Sequence, residues 1–292
     1  VTLLKSKTLL SFPNDLWLVW ILRFLTVIAG AIALLIIVFL ILESLPVLNH
    51  IGLTRFFTDS SWNPTVGLYN LFPMLLGTLL AMLGSVLIAT PVGILSAVFC
   101  QFYAPKAVAK LYRRLIELLA GIPSVVYGFW GLVVLVPSIS KIHPPGPSLI
   151  AGIAILTVMI LPTIALVADA SLAKVPTSYL QGATALGLSR WATIRKVVFP
   201  SARSGLFTGL ILETGRAIGE TMAILMVCGN VVQVPKSLFD PIRTLTANIA
   251  LEMAYATGDH RSALFVSGLV LMGAIVLLVA VAEVISQGKI YD

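Results

Sequence analysis

Apolar residues in this chain gather into six blocks, at about 17–42, 74–102, 115–136, 148–168, 205–227 and 263–285. Crossing about 30 Å of hydrocarbon takes about 20 helical residues, and each block is long enough. Lipid offers no partner to an unpaired backbone amide, so a single spanning segment must be a helix. The pattern therefore predicts an all-α, polytopic membrane protein with six transmembrane helices. The first two blocks exceed the required length and predict tilted helices, or helices that run past the hydrocarbon. Gly121, Pro123, Gly128 and Gly131 interrupt the third. Such a helix survives only where neighbours or water satisfy the freed carbonyls, which predicts an interior position.

Polar connections fall between the blocks. The segment 43–73 holds Trp62, Tyr69 and Phe72, the amphipathic rings expected at a membrane–water interface. The segment 230–262 has turn signals at Pro235 and Pro241, then Leu245, Ile249 and Met253 at helical spacing, which predicts a short helix. No linker or low-complexity tract divides the chain. The expected organisation is one membrane domain, 17–285, between short segments 1–16 and 286–292. The first block is longer than the roughly 7–15 residues of a signal-peptide core, and its small residues (Ala29, Gly30, Ala31, Ala33) lie inside the run. An uncleaved first helix is expected.

Composition agrees. Apolar residues make up 59% of the 292 residues, charged residues 11%, and the mean hydropathy is +1.03, where a soluble domain carries about a quarter charged residues. The net charge of +7 follows topology and does not imply nucleic acid. Twelve Lys and Arg lie at the N-terminus (Lys5, Lys7), in 103–114 (Lys106, Lys110, Arg113, Arg114), in 169–204 (Lys174, Arg190, Arg195, Lys196, Arg203) and in the tail (Lys289), against five in the alternate loops (Arg55, Lys141, Lys236, Arg243, Arg261). Positive residues mark the cytoplasmic side, so both termini are expected in the cytoplasm. Cys100 and Cys228 stand in apolar segments with no metal-ligand spacing and read as buried small hydrophobes. His50, His143 and His260 read as solvated loop positions.

The inner connection 169–204 is long, polar and helix-prone. In it Gln181-Gly182-Ala183 is followed after three residues by Gly187, and after nine more by Val197-Val198-Phe199-Pro200. Small residues (Gly182, Ala183, Ala185) permit close approach of another surface, Gly187 and Ser189 make a turn, and Arg190, Arg195 and Lys196 charge a solvated face. A short helix of this kind seats in a partner's groove; the bland alternative is a basic loop on anionic lipid. The spacing resembles the EAA loop of ABC importer permeases, with Gln181 in place of Glu and Gly182 in place of Ala. The resemblance implies that Gln181, Gly182, Ala183, Gly187, Ser189, Arg190 and Pro200 dock a separate ATPase subunit. The chain has no G-x-x-x-x-G-K-[ST] of its own, so ATP and Mg2+ are expected on that partner and no cofactor on this chain.

The fifth block carries Glu213, Arg216 and Glu220, three and then four residues apart, hence on one face of a continuous helix. At about 1.5 Å per residue, Arg216 stands roughly midway. Each ionised side chain at a helix centre costs about 2.5–3.5 kcal/mol and each apolar residue contributes about 0.3–0.6, so three charges cost roughly 8–10 against roughly 3–6. This face must meet protein or water, which marks either a pathway or a structural salt bridge. A guanidinium matches two oxygens of a phosphate and stays charged when poorly hydrated. Two acids beside it repel a dianion, which suggests an exchange: Arg216 leaves a carboxylate for the anion. Gly205/Gly209 and Gly215/Gly219 are GxxxG pairs that permit close helix packing.

Gly215-Arg216-Ala217-Ile218-Gly219-Glu220-Thr221-Met222-Ala223-Ile224 with Gly229-Asn230, and Ile122-Pro123-Ser124-Val125-Val126-Tyr127-Gly128, resemble two signatures of phosphate-importer permeases, PstC more than its paralogue PstA. The similarity covers about 77–285. It implies a type I ABC importer permease fold in a bacterial inner membrane. It also implies a PstA-like permease as heterodimer partner, a PstB-like ATPase dimer, a PstS-like binding protein delivering phosphate, and functional roles for Arg216 and Glu220; Glu213 is added from helix geometry alone. Alternatives are a permease for another oxyanion such as sulfate or molybdate, and an anion transporter that works without ATP.

Overall fold

The computed structural model describes residues 15–287. The segments 1–14 and 288–292, with Lys5, Lys7 and Lys289 of the charge count, lie outside the described residues. The chain begins with α1 (Asp15–Ile51), a short α2 (Arg55–Thr58) and a small antiparallel hairpin, β1 (Trp62–Asn63) with β2 (Leu68–Tyr69). Then come α3 (Phe72–Val98), α4 (Lys106–Ala120), α5 (Ser124–Trp130), α6 (Val136–Ser140) and α7 (Leu149–Ala173). The remainder is α8 (Thr177–Ala185), α9 (Arg190–Thr193), α10 (Phe199–Gly219), α11 (Met222–Val227), α12 (Leu245–Glu252) and α13 (Gly258–Gln287).

Among the described residues, four helical stretches are long and apolar enough to cross a membrane: Trp17–Ile51, Phe72–Tyr103, Leu149–Ala173 and Gly258–Val284. They correspond to the first, second, fourth and sixth apolar blocks. The third block does not make one straight span. Residues Lys106–Ala120 and Ser124–Ser140 meet at 91°, so the predicted helix over 115–136 straddles a corner. The cause is local: Pro123, the N-cap of α5, is extended at φ −60°, ψ 142°, and a proline disfavours helix in the residue before it. α4 is amphipathic, burying Ala109 and Ile116 while Lys106, Lys110 and Arg114 stay outside.

The fifth block also breaks. α10 ends at Gly219, Glu220 is extended at φ −67°, ψ 126°, and α11 starts anew at Met222. At 21 residues, α10 has the length of a span, but Arg203, Glu213 and Arg216 make it too charged to read as one by composition.

Among the described residues three π-helical turns occur: Phe99–Tyr103, which ends α3, Gly131–Leu135, which joins α5 to α6, and Ile194–Val198, which joins α9 to α10. Each ends two residues before a proline (Pro105, Pro137, Pro200). Where the helix continues through the proline, at Pro137 and Pro200, the ring lacks an N–H and presses on the carbonyl four residues back; widening the preceding turn relieves that conflict. The last two turns carry the helix through, so α9 and α10 run on as one rod. The inner connection 169–204 is thus mostly helix and not a long loop.

The core is layered along the long axis, as the residues of α3 show. Met74 joins Phe56, Trp62, Tyr69 and Leu245 at one end. Met82 and Ala89 join Ile155, Met159, Ile218 and Ile224 in the middle. Val98 joins Leu172, Ile194 and Ala202 at the other end. α7 is the central helix, packed against α3, α4 and α10, whereas α1 packs chiefly on α13 and turns most of its length outward. Gly205 and Gly209 let α10 close on Ser171 and Val167 of α7, as expected, but nothing among the described residues lies within 4 Å of a Cβ at Gly215 or Gly219. Two other expectations are corrected. Trp62 and Tyr69 are core residues, not an interfacial belt; only Phe72 is exposed. His260 stands in α13 with a side chain 18% exposed and bonded to Glu252, not in a solvated loop.

Candidate functional site

Gly205, Gly209 and Glu213 recur every fourth residue, which aligns them on the face of α10 that meets α7. Where the glycines end, the Glu213 carboxylate reaches α7 and accepts a hydrogen bond from the Thr163 hydroxyl at 2.7 Å. Arg216, one turn on, brings Nη1 to 3.9 Å from the same Oε2. That is ion-pair range and not a hydrogen bond. Glu213 is buried, its side chain 11% exposed, while that of Arg216 is 39% exposed. Tyr127 of α5 lies within electrostatic reach of Arg216 and donates its own hydroxyl to Leu119 O at 2.8 Å. Arg216 occupies the last turn of α10, where carbonyls without helical partners favour a cation. It stands at the helix break and not at the middle of a rod.

Glu220 is not a third member of that face. Its Oε1 accepts the Ala223 amide at 3.1 Å and so caps α11; its carbonyl accepts the Thr246 hydroxyl of α12 at 3.0 Å. The expectation of two acids flanking one arginine assumed a continuous helix, and Gly219 ends it. The break lets α11 turn across α5, where a Cβ on Gly128 would stand 2.8 Å from Ala223 Cα and 2.9 Å from Met226 Sδ. The two quoted sequence stretches are therefore in contact with each other.

The residues expected to dock a partner group at the opposite end of α10. α8 closes on Gly187 at φ +69°, with Gly187 N bonded to Thr184 O at 3.0 Å and Leu188 N to Ala183 O at 3.1 Å. This pair of bonds is the Schellman arrangement, which needs a left-handed residue and therefore favours glycine. Ser189 then caps α9, accepting from Ala192 N at 3.3 Å. Gln181 and Gly182 face outward, and a Cβ at Gly182 meets nothing within 4 Å. Ala183 is turned inward, 3% exposed, and supports the element without offering itself to a partner. The Arg190 guanidinium lies 5.4 Å above the Tyr103 ring, tying α9 to the end of α3. Pro200 is exposed on the rod beyond the π turn.

Sequence reasoning missed three exposed apolar side chains here: Tyr179 at 53%, Leu186 at 81% and Trp191 at 52%. An isolated apolar residue in a polar stretch was the signal available. It missed Thr163 as well, since a lone threonine in an apolar helix carries no pattern. A buried network at the far end was equally invisible. Arg243 donates to Glu252 at 2.7 Å, Asn248 at 3.0 Å and Asn230 O at 2.9 Å, and Glu252 also binds Trp62 Nε1 at 2.9 Å and His260 Nε2 at 2.8 Å.

The α7-centred helical core, the arginine beside a helix break and the outward-facing helices α8 and α9 are what a membrane subunit of a binding-protein-dependent importer would need. Residues 89–290 match the family described as "Binding-protein-dependent transport system inner membrane component", and the chain belongs to that family. It is 40% identical over 273 residues, 91% of this chain and 88% of the other, to the "Probable ABC transporter permease protein YqgH" of Bacillus subtilis (strain 168). It is 36% identical, over 78% of this chain and 76% of the other, to the "Phosphate transport system permease protein PstC" of Mesorhizobium japonicum. Among solved structures, a chain of a bacterial alginate ABC transporter in complex with its alginate-bound periplasmic protein superposes with a TM-score of 0.66 at 17% identity, covering 94% of this chain and 95% of that one. At that identity the likeness concerns the fold.

Proposed function

We propose that this chain is the membrane-spanning subunit of an ATP-driven inorganic phosphate importer, and that Arg216 is its anion-handling group. The observation that carries the reading is the 3.9 Å separation of Arg216 from a buried Glu213. The arginine has a counter-charge but no tight partner in it, and keeps its planar set of donors for two oxygens of a tetrahedral anion. Similarity to PstC permeases supports phosphate as that anion.

The half-exposed face with Arg216, Gly215 and Gly219 is where a second, PstA-like permease completes the pathway. Tyr179, Leu186 and Trp191, with Gln181 and Gly182, seat a PstB-like ATPase dimer, which holds the ATP and Mg2+. A PstS-like protein delivers phosphate at the opposite end, where the hairpin and α12 lie. In this reading both termini and the docking helices face the cytoplasm of a bacterium, in agreement with twelve Lys and Arg against five in alternate connections.

The test is uptake of radiolabelled phosphate into cells or vesicles carrying Arg216→Gln, with sulfate as competitor. The expected result is loss of uptake with the complex still assembled. Normal uptake in that variant overturns the assignment of Arg216, and inhibition by equimolar sulfate overturns phosphate selectivity.

A further inference from the structure

Thr163 Oγ1 has one proton and two acceptors within reach, Glu213 Oε2 at 2.7 Å and Ile160 O at 2.9 Å. The Ile160 carbonyl lies within α7, where the helical ladder supplies its partner. The carboxylate is the stronger acceptor because a bond to an ionised group is shorter and stronger than one between neutral groups. The proton therefore goes to Glu213. The oxygen so engaged is the same Oε2 that faces Arg216 at 3.9 Å.

We infer that Thr163 is a positioning residue for anion capture: by holding Glu213 Oε2, it keeps Glu213 from closing a bidentate clamp on Arg216. This rests on the reading of Arg216 as the anion-handling group. Arginine and a carboxylate left alone in a poorly hydrated place form two parallel short bonds. An arriving phosphate must then displace both. With Oε2 committed to Thr163, Glu213 neutralises Arg216 at a distance while the guanidinium N–H groups stay available. The buried acid also avoids desolvation without a partner, which is costly for a charge. Glu213 thus serves as a counter-ion that does not compete at short range, which explains how an acid can stand beside an anion pathway.

The experiment measures phosphate uptake against phosphate concentration for Thr163→Val, which keeps the shape and removes the hydroxyl, and for Thr163→Ser, which keeps the hydroxyl. The expected result for Thr163→Val is a half-saturating concentration raised about tenfold, the equivalent of one good hydrogen bond at 1.4 kcal/mol per decade, with a smaller effect on maximal rate. Thr163→Ser restores the unaltered value. In a Glu213→Gln background, where no carboxylate can clamp Arg216, Thr163→Val has no further effect; a packing role would impair both backgrounds alike. Thr163→Ala is carried alongside, and decides the matter if the valine variant does not assemble. Equal half-saturation in Thr163→Val and the unaltered chain, or a serine variant as impaired as the valine one, overturns the inference. Arg216→Gln in parallel separates the two levels. Normal uptake there removes the pathway reading, whereas an inactive Arg216→Gln with a silent Thr163→Val removes only the role of Thr163.

Discussion

Arg113 of α4 grips Asp169 of α7 with two parallel bonds, Nε to Oδ2 at 2.8 Å and Nη2 to Oδ1 at 3.0 Å. Gln101, in the π turn that ends α3, adds a third at 2.9 Å. Three elements converge on one carboxylate a single turn before α7 ends, shortly ahead of α8. A planar fork matched to a carboxylate fixes orientation as well as distance. The pair therefore sets the angle of the α4 arm, which the 91° corner would otherwise leave to apolar contacts alone.

Asp169→Ala removes the shared acceptor and leaves Arg113 partly buried without its partner. The expected loss is about 1.5–3 kcal/mol, the range for hydrogen bonds to charged groups. It should appear as a lower melting temperature of the detergent-purified complex. Arg113→Lys keeps the charge but not the fork, so it should fall between the unaltered chain and Asp169→Ala. A lysine variant as stable as the unaltered chain would mean that charge alone suffices.

Two glycines in the quoted stretches have opposite surroundings, and substitution separates them. A Cβ at Gly128 meets Ala223 Cα at 2.8 Å and Met226 Sδ at 2.9 Å, whereas one at Gly215 meets nothing within 4 Å. Gly128→Ala forces α5 and α11 apart and should destabilise by about 1–3 kcal/mol, as overpacking does. Gly215→Ala should leave the isolated chain's stability unchanged, because its own structure has room. If Gly215→Ala still lowers co-purification of a second permease, the contact it disturbs lies in that permease. Thermal stability of the isolated chain, set beside pull-down yield, measures both.

Legibility differed by kind of interaction. Apolar blocks long enough to span a bilayer stand out without any tertiary information, because lipid constrains each helix separately. The breaks were harder. Pro123 was visible, but whether it kinks an interior helix or turns a 91° corner depends on α4 being amphipathic and finding α7 to lie against. The end of α10 at Gly219 was hidden, since glycine is common in membrane helices and the partner that rewards the break, the Thr246 hydroxyl on the Glu220 carbonyl, comes from 26 residues downstream. For that reason Glu220 was placed on the face of Arg216 when it caps α11. Glu213 was found by spacing alone; Thr163, 50 residues away, gave no such sign. Trp62 and Tyr69 looked interfacial because aromatic rings near a span often are, and only the fold puts Phe56, Met74 and Leu245 around them.

The turn between α8 and α9 has its own energetic signature. Gly187 adopts φ +69°, where any L-residue with a side chain is strained. Gly187→Val should cost about 1–2 kcal/mol of local stability, and Ser189→Ala about 1 kcal/mol through loss of the cap. Both sites are remote from Arg216, so phosphate binding to the complex should be unchanged while phosphate-stimulated ATPase activity falls. Hydrogen exchange over 177–198 checks the local effect. Faster exchange with undiminished ATPase coupling would separate this turn from the transmission of ATP hydrolysis.

Glu252 is the acceptor on which one end of the molecule converges: Trp62 from the hairpin, Arg243 from the stretch before α12 and His260 from α13. Its side chain is 9% exposed and that of Arg243 is 19% exposed, so each charge depends on the other for compensation. Glu252→Ala leaves Arg243 without its counter-charge, though still bonded to Asn248 and the Asn230 carbonyl, and the Trp62 indole without its acceptor; truncating one partner of such a buried pair costs about 3–5 kcal/mol. Replacing both, as in Arg243→Met with Glu252→Leu, removes the uncompensated charge and should recover much of that loss, since desolvation of the pair offsets its attraction. The two variants therefore separate two roles. If the network serves stability alone, the double variant regains both melting temperature and phosphate uptake. If this end also receives the phosphate-carrying protein through the hairpin and α12, the double variant regains its melting temperature while uptake driven by that protein stays low.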